Sequence, residues 1–175
     1  MKKALILTGK FVQDHEFIYP YYRLKEEGFE VTVATEDGQE TNGALGTKIP
    51  VDISVDKLNP EDYNILVIPG GAKAREYMRQ NKKILDIITD WDKKGKIIAS
   101  ICHGSQLLIS AKIVKGRKIS GYYSIKDDIN NAGAMYIDAP FVTDKNIITA
   151  PHYKHLGPWM KESLKEFYEK YDNQN

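Results

Sequence analysis

Cysteine is nearly missing from this 175-residue chain, which contains one, Cys102. A lone cysteine closes no internal disulfide, so the fold relies on no covalent staple, and an unpaired thiol suits a reducing cytoplasm better than an oxidising exterior. An excess of one charge is missing too: 25 Lys and Arg face 24 Asp and Glu. No net field therefore points to a nucleic acid or an anionic membrane as partner. Long apolar runs are also lacking, and none approaches the roughly 20 residues a membrane span needs. The opening MKKALILTGKF has only the run ALIL, too short for a secretory signal, and no small-residue cleavage site. Repeats and low-complexity linkers are likewise not found. What remains is a cytoplasmic chain with a small-molecule partner, and one domain over 1–175, a length that buries roughly two-thirds of its unfolded surface.

What the chain does have is alternation. KALILTG reads as a buried strand, and EFIYPYYRLKEEGF as a helix closing on Gly28. EVTVAT reads as a second strand, and YNILVIPGG and KIIASI as two more. Between them, Asn42 to Asp56 mixes turn residues with alternating apolar ones and reads as a β-hairpin excursion. AKAREYMRQ, KKILDIITDWDKKG and GSQLLISAKIV read as helices. The remainder gives two or three strands and a terminal amphipathic helix, with DNQN as a frayed tail. Strand–helix alternation of this kind predicts an α/β fold, a mainly parallel sheet covered by helices on both faces.

In such sheets ligands bind at the carboxyl ends of strands. Cys102 falls there, in IIASICHGSQLL, after an apolar strand and before a helix. A sharp strand-to-helix turn lifts a side chain clear of the sheet, as in a nucleophile elbow. The N–H groups of His103 and Gly104 would open the following helix, where the dipole lowers a thiol pKa, and Gly104 would permit the tight turn. The competing reading is a small inert core thiol, since free cysteine is among the most buried residues. The strand end and the flanking His and Gly favour the nucleophile.

The stretch ASICHGSQLLISA resembles the nucleophile segment of the ThiJ/PfpI family, whose fold is related to the class I glutamine amidotransferases. EFIYPYYRLKEEG, GFEVTVAT, NILVIPGG and GRKISGYYSIKDDINNAGA resemble further family segments in the same order. The resemblance implies a flavodoxin-like three-layer sandwich with Cys102 as nucleophile on a carbonyl carbon. It implies that Glu16 faces the cysteine and moves a proton; read alone, Glu16 is a first-turn helix acid. His103 matches a histidine that works with the cysteine and an acid from a neighbouring subunit, or it braces the turn. Glu76 is the candidate acid, with Arg75 competing for the aligned position, and it also reads as a solvated helix acid. Gly70 and Gly71 resemble an oxyanion-binding turn, or simply make a turn. Tyr122 matches a family tyrosine near the site, or is a packed aromatic. Gln13 stands where protease-like relatives have a second acid.

The segment APHYKHLGPWM departs from the family pattern and puts His152, Tyr153 and His155 where an arginine and an aspartate are usual. His152 and His155 are candidate pocket residues. Metal ligation is the lesser reading, because no further Cys or supporting motif is present. No metal and no cofactor is expected. The resemblance implies activity on reactive carbonyls, as a glutathione-independent glyoxalase or deglycase, with peptide or amide hydrolysis as the alternative. A redox sensor or stress chaperone stands as a non-enzymatic alternative. It also implies a homodimer, or a hexamer built from dimers, with a small carbonyl or peptide-like substrate.

Overall fold

The computed structural model describes residues 1–172. The chain forms β1 (Lys3–Leu7), α1 (Asp14–Glu26), β2 (Glu30–Thr35), β3 (Thr41–Asn42), β4 (Lys48–Ile49), β5 (Ile53–Ser54) and β6 (Ile65–Ile68). It continues through α2 (Ala72–Met78), α3 (Lys82–Lys93), β7 (Ile97–Ile101), α4 (Ser105–Ser110), β8 (Lys118–Ile119) and α5 (Lys126–Asn131). The last elements are β9 (Met135–Tyr136), β10 (Val142–Asp144), β11 (Ile147–Ala150) and α6 (Leu156–Asp172).

Seven strands make one sheet in the order β10-β11-β7-β6-β1-β2-β5, parallel throughout except for the β10–β11 pair. β6, β7 and β11 are buried at every position, as strands covered on both faces must be. Alternation then sorts their side chains. Ala4, Ile6, Ile65, Val67, Ile97 and Ala99 join Phe17 and Leu24 of α1 and Trp159 and Phe167 of α6 on one face. Leu5, Leu7, Leu66, Ile68 and Ile98 join Ile84, Ile88 and Trp91 of α3 and Leu107 of α4 on the other. The result is the three-layer α/β sandwich that the sequence implies, and each such fully buried aliphatic side chain contributes roughly 1.5–3 kcal/mol. Among the described residues no helix is long and apolar enough to cross a membrane.

Local chemistry fixes the helix that matters most. The Gln13 side-chain oxygen accepts the Glu16 N–H at 3.1 Å, so α1 begins at Asp14, two residues before the apolar periodicity suggests. The buried Asp14 carboxylate reaches back to the loop between β3 and β4, accepting the N–H groups of Leu45 at 2.7 Å and Thr47 at 2.9 Å. Burial works to raise its pKa, but these bonds hold it below the ordinary value. Pro20 lies inside α1 and has no N–H, which leaves the Glu16 carbonyl without its helical donor.

Three expectations are corrected. The hairpin between Asn42 and Asp56 is only β3 paired with β4; β5 returns to the main sheet beside β2. The helix expected through Val114 stops at Ser110, because Lys112 turns left-handed (φ 59°) and Ile113 and Val114 face the core. The segment after β8 contains a short helix, α5, and β8 pairs in parallel with β9 away from the main sheet. The last three residues of the DNQN tail lie outside the described residues.

Trp91 is 1% exposed, and its indole N–H donates to the Ile97 carbonyl at 3.0 Å. Trp91→Ala removes both the packing and that bond, and urea unfolding should show a loss of about 3–5 kcal/mol. A loss below about 1 kcal/mol would mean that this side of the sheet repacks freely.

Candidate active site

The strand order reverses at β1, with β2 on one side and β6 on the other, and such reversals open a crevice at the carboxyl ends of strands. The loops that follow β1, β6 and β7 converge there. The loop after β7 delivers Cys102, the first residue of a 3-10 turn that ends at Gly104. Ile101 is still extended, whereas Cys102 has φ 58°, a left-handed conformation that a side chain bearing Cβ rarely adopts. Strain of this kind costs of order 1–3 kcal/mol and persists only where the surroundings impose it. Gly104 has an ordinary helical φ of −54°, so the turn does not need its conformational freedom. It needs the space: a Cβ there would come within 2.8 Å of the Ile68 carbonyl oxygen.

The loop after β6 supplies Gly70 and Gly71. The Gly70 N–H donates to Glu16 Oε1 at 2.8 Å, and a side chain at Gly70 would collide with that oxygen and lie 2.7 Å from Cys102 Cβ. Gly71 has φ 98°, which favours glycine, and its N–H is directed at the Cys102 sulfur together with that of His103. The two donors at sulfur are therefore Gly71 and His103, because Gly70 is engaged by the carboxyl group. His103 Nδ1 lies 3.4 Å from Cys102 Sγ, and its ring stacks on Tyr122 with centroids 4.7 Å apart.

Glu16 is wholly buried beside the cysteine, and burial pushes its carboxyl up to about 7, against the pull of the Gly70 N–H, the Cys102 thiol and Arg75. Burial also pushes the Cys102 thiol above its ordinary value, as does the Glu16 charge; the N–H groups of His103 and Gly71 pull it back. This reverses the expectation that the helix start lowers the thiol pKa. The turn is 3-10, α4 is only six residues long, and desolvation outweighs what such a short dipole can supply. A carboxyl and a thiol held together in a dry site share protons, so the thiolate forms when Glu16 carries one. His103 is held below its ordinary pKa by burial and then by Arg75, and is neutral at pH 7.

A cavity of about 610 Å³ opens over these groups, lined by Glu16, Cys102, His103, Gly71, Tyr122 and His152. Phe11, Ala44, Ala72, Lys73 and Tyr153 also line its wall, and of these only Tyr153 carries a signal in the sequence, by its place in the departing APHYKHL segment. Gln13 also faces the cavity. His152 and Tyr153 are in ring contact at 4.0 Å, and Tyr153 stacks on His15 at 4.8 Å. His155 is half-buried and outside the wall; its N–H donates to the His152 carbonyl at 2.9 Å. Glu76 is exposed on α2, while Arg75 is buried. Among the described residues no three His, Cys, Asp or Glu side chains converge so as to hold a metal ion.

The model of the DJ-1/PfpI family matches residues 2–166. The chain is similar to deglycase PH1704 from Pyrococcus horikoshii, with 45% identity over 163 residues covering 93% of this chain and 98% of that one. It is 33% identical to protein/nucleic acid deglycase 2 from Escherichia coli over 94% of this chain and 96% of the other. Among solved structures it resembles a two-domain protein from Anabaena variabilis with DJ-1/ThiJ/PfpI-like and ferritin-like domains. That comparison gives a TM-score of 0.91 at 33% identity over 94% of this chain and 48% of that one.

The raised Glu16 pKa has a thermodynamic consequence. Between 4.5 and about 7 the folded protein holds a proton on Glu16 that the unfolded chain has released. The associated stability is fully present below pH 4.5 and is lost as pH rises through about 7. The Tm of the wild type should carry this falling component across that interval, and Glu16→Gln should lack it. Equal pH slopes in the two proteins would assign the titration to another group.

Proposed function

This chain belongs to the DJ-1/PfpI family, and from that premise we propose that it is a cysteine-dependent enzyme acting on reactive carbonyls and their adducts. The reading is a deglycase with glutathione-independent glyoxalase chemistry, in which Cys102 is the nucleophile. One observation carries it: a cysteine strained at a strand end faces a buried carboxyl raised to near neutrality, inside a cavity sized for a small molecule. The deglycase names of similar proteins support it.

The chemistry follows from the proton inventory. Glu16 takes the thiol proton as the sulfur attacks an aldehyde carbon; a C–S bond forms, the C=O π bond breaks, and the oxygen receives that proton. The N–H groups of Gly71 and His103 stabilise the developing oxyanion. A proton then moves from the former aldehyde carbon to the neighbouring carbon of a 2-oxoaldehyde, and the hydroxyl proton passes from the first oxygen to the second, through Glu16 or neutral His103. That transfer oxidises one carbon and reduces the other, giving a thioester. Water cleaves the thioester to a 2-hydroxy acid and restores the thiol. With a hemiaminal adduct, the C–N bond breaks as the adduct's C–OH becomes C=O and its hydroxyl proton passes to the leaving nitrogen, which releases the amine and delivers the aldehyde to the same sequence. Tyr122 and His152 serve as substrate-binding walls in this reading.

A second reading is amide hydrolysis, favoured by His103 Nδ1 at 3.4 Å from the sulfur, where a neutral imidazole can take the thiol proton. The reading also includes a cytoplasmic homodimer, in which the exposed Glu76 carboxyl meets a second copy. An undiminished activity in a dissociated monomer would remove that element.

Purified protein given methylglyoxal without glutathione should form lactate, and should release the free amine from methylglyoxal-treated N-acetyl-lysine. Cys102→Ala should abolish both, and Glu16→Gln should slow both by about 10²–10⁴-fold. Lactate formation undiminished by Cys102→Ala would overturn the assignment. Peptide hydrolysis lost in His103→Ala, with lactate formation absent from the wild type, would select the second reading.

A further inference from the structure

Arg75 is 0% exposed, and its Nε and both terminal nitrogens have no hydrogen-bonding partner in the described chain. Burying a guanidinium without partners is expensive unless an opposite charge faces it. The helix phase puts it inside: Ala74 and Met78, one turn apart, are buried in α2, and Arg75 shares their side while Glu76 points to solvent. α2 packs against the Cys102–Gly104 turn and against α4.

The candidates for a counter-charge are few. α4 reads SQLLIS and carries no ionisable group. On α2 itself, Arg79 donates to Ser110 at 2.9 Å, Lys73 lies on the cavity wall and Glu76 is exposed. The turn contributes Cys102 and His103, and beyond them are the Tyr122 and His152 rings. α1 contributes Glu16, itself 0% exposed.

We propose that Arg75 is a positioning charge for the active site: its buried guanidinium is the counter-ion of the Glu16–Cys102 pair and favours the form of that pair that keeps one proton and carries one negative charge. The directions of the electrostatics agree. Arg75 lowers the Glu16 pKa and is itself favoured by Glu16 and Cys102, while it disfavours protonated His103. Burial lowers its own pKa only to about 10, so it is charged at neutral pH. The residue thus acts through the pair and not on substrate. The inference shares with the proposed function the Glu16–Cys102 pair and none of its substrate chemistry.

The test reads the thiol directly. Alkylation of Cys102 by iodoacetamide, followed against pH, should show a midpoint at least one unit higher in Arg75→Met than in the wild type. At pH 7 this is roughly a tenfold slower reaction. Arg75→Lys should stay nearer the wild type. A folded Arg75→Met protein with the wild-type midpoint, or Arg75→Lys displaced as far as Arg75→Met, would overturn the proposal. If Arg75→Met fails to fold, the double variant Arg75→Met/Glu16→Gln removes both buried charges and should regain the fold; a double variant no more stable than the single one would overturn it. A shifted profile in a protein that forms no lactate would uphold this inference and sink the proposed function. Lactate formation with an unmoved profile would do the reverse.

Discussion

A carboxyl group and a thiol occupy one dry corner at the ends of parallel strands, and much of the surrounding structure serves to keep both there. Gly70 holds Glu16 by its amide and stays out of the way by having no side chain. Cys102 is forced into a left-handed conformation by the sharp exit from β7. Gly104 lets the turn press against the end of β6. Each feature alone is unfavourable or restrictive, and together they define one arrangement of two titratable groups.

The sheet is what sustains this. β6 and β7 are buried along their whole length and paired residue by residue from Ile65↔Ile97 to Ile68↔Ser100, so the two loops that meet over the cysteine start from fixed points. A backbone strain of order 1–3 kcal/mol at Cys102 is small beside the burial of the isoleucines behind it. The core on each face is closed by a tryptophan whose indole N–H donates to a strand carbonyl, Trp91 to Ile97 and Trp159 to Ile148. Rigid scaffolding and a costly site are therefore adjacent in sequence as well as in space.

The layers of the fold were legible because buried parallel strands write themselves as unbroken apolar runs. Cys102 was legible as a cysteine between such a run and a helix. Glu16 was not legible from the residues alone: a carboxylate in the first turn of a helix reads as a dipole partner, and only the resemblance linked it to a cysteine 86 positions away. The choice between Arg75 and Glu76 depended on helical phase, and Ala74 and Met78 carried that signal in the sequence. The direction of the thiol pKa was misread because sequence shows a helix start but not how dry its first residue will be. Short elements such as α5 and the truncated α4 escaped for a related reason, since six residues leave too few turns for a period to show.

The two sides of the cavity are tied down unequally. On one side, Asp14 clamps Leu45 and Thr47, so the hairpin that carries Ala44 is fastened to the same helical turn that carries Glu16. On the other side, His152 and Tyr153 stand on a single turn whose hydrogen bonds are its own, from Lys154 to the His152 ring and from His155 to the His152 carbonyl. The hairpin thus bears on the acid through the hydrogen bonds of Asp14, and the 152–155 turn bears on the site through ring contacts, Tyr153 on His15 and His152 near Tyr122. The two walls therefore differ in what a substitution costs: an aromatic ring can be exchanged for another and keep its stacking partner, whereas losing the Asp14 carboxylate leaves two backbone N–H groups without their acceptor.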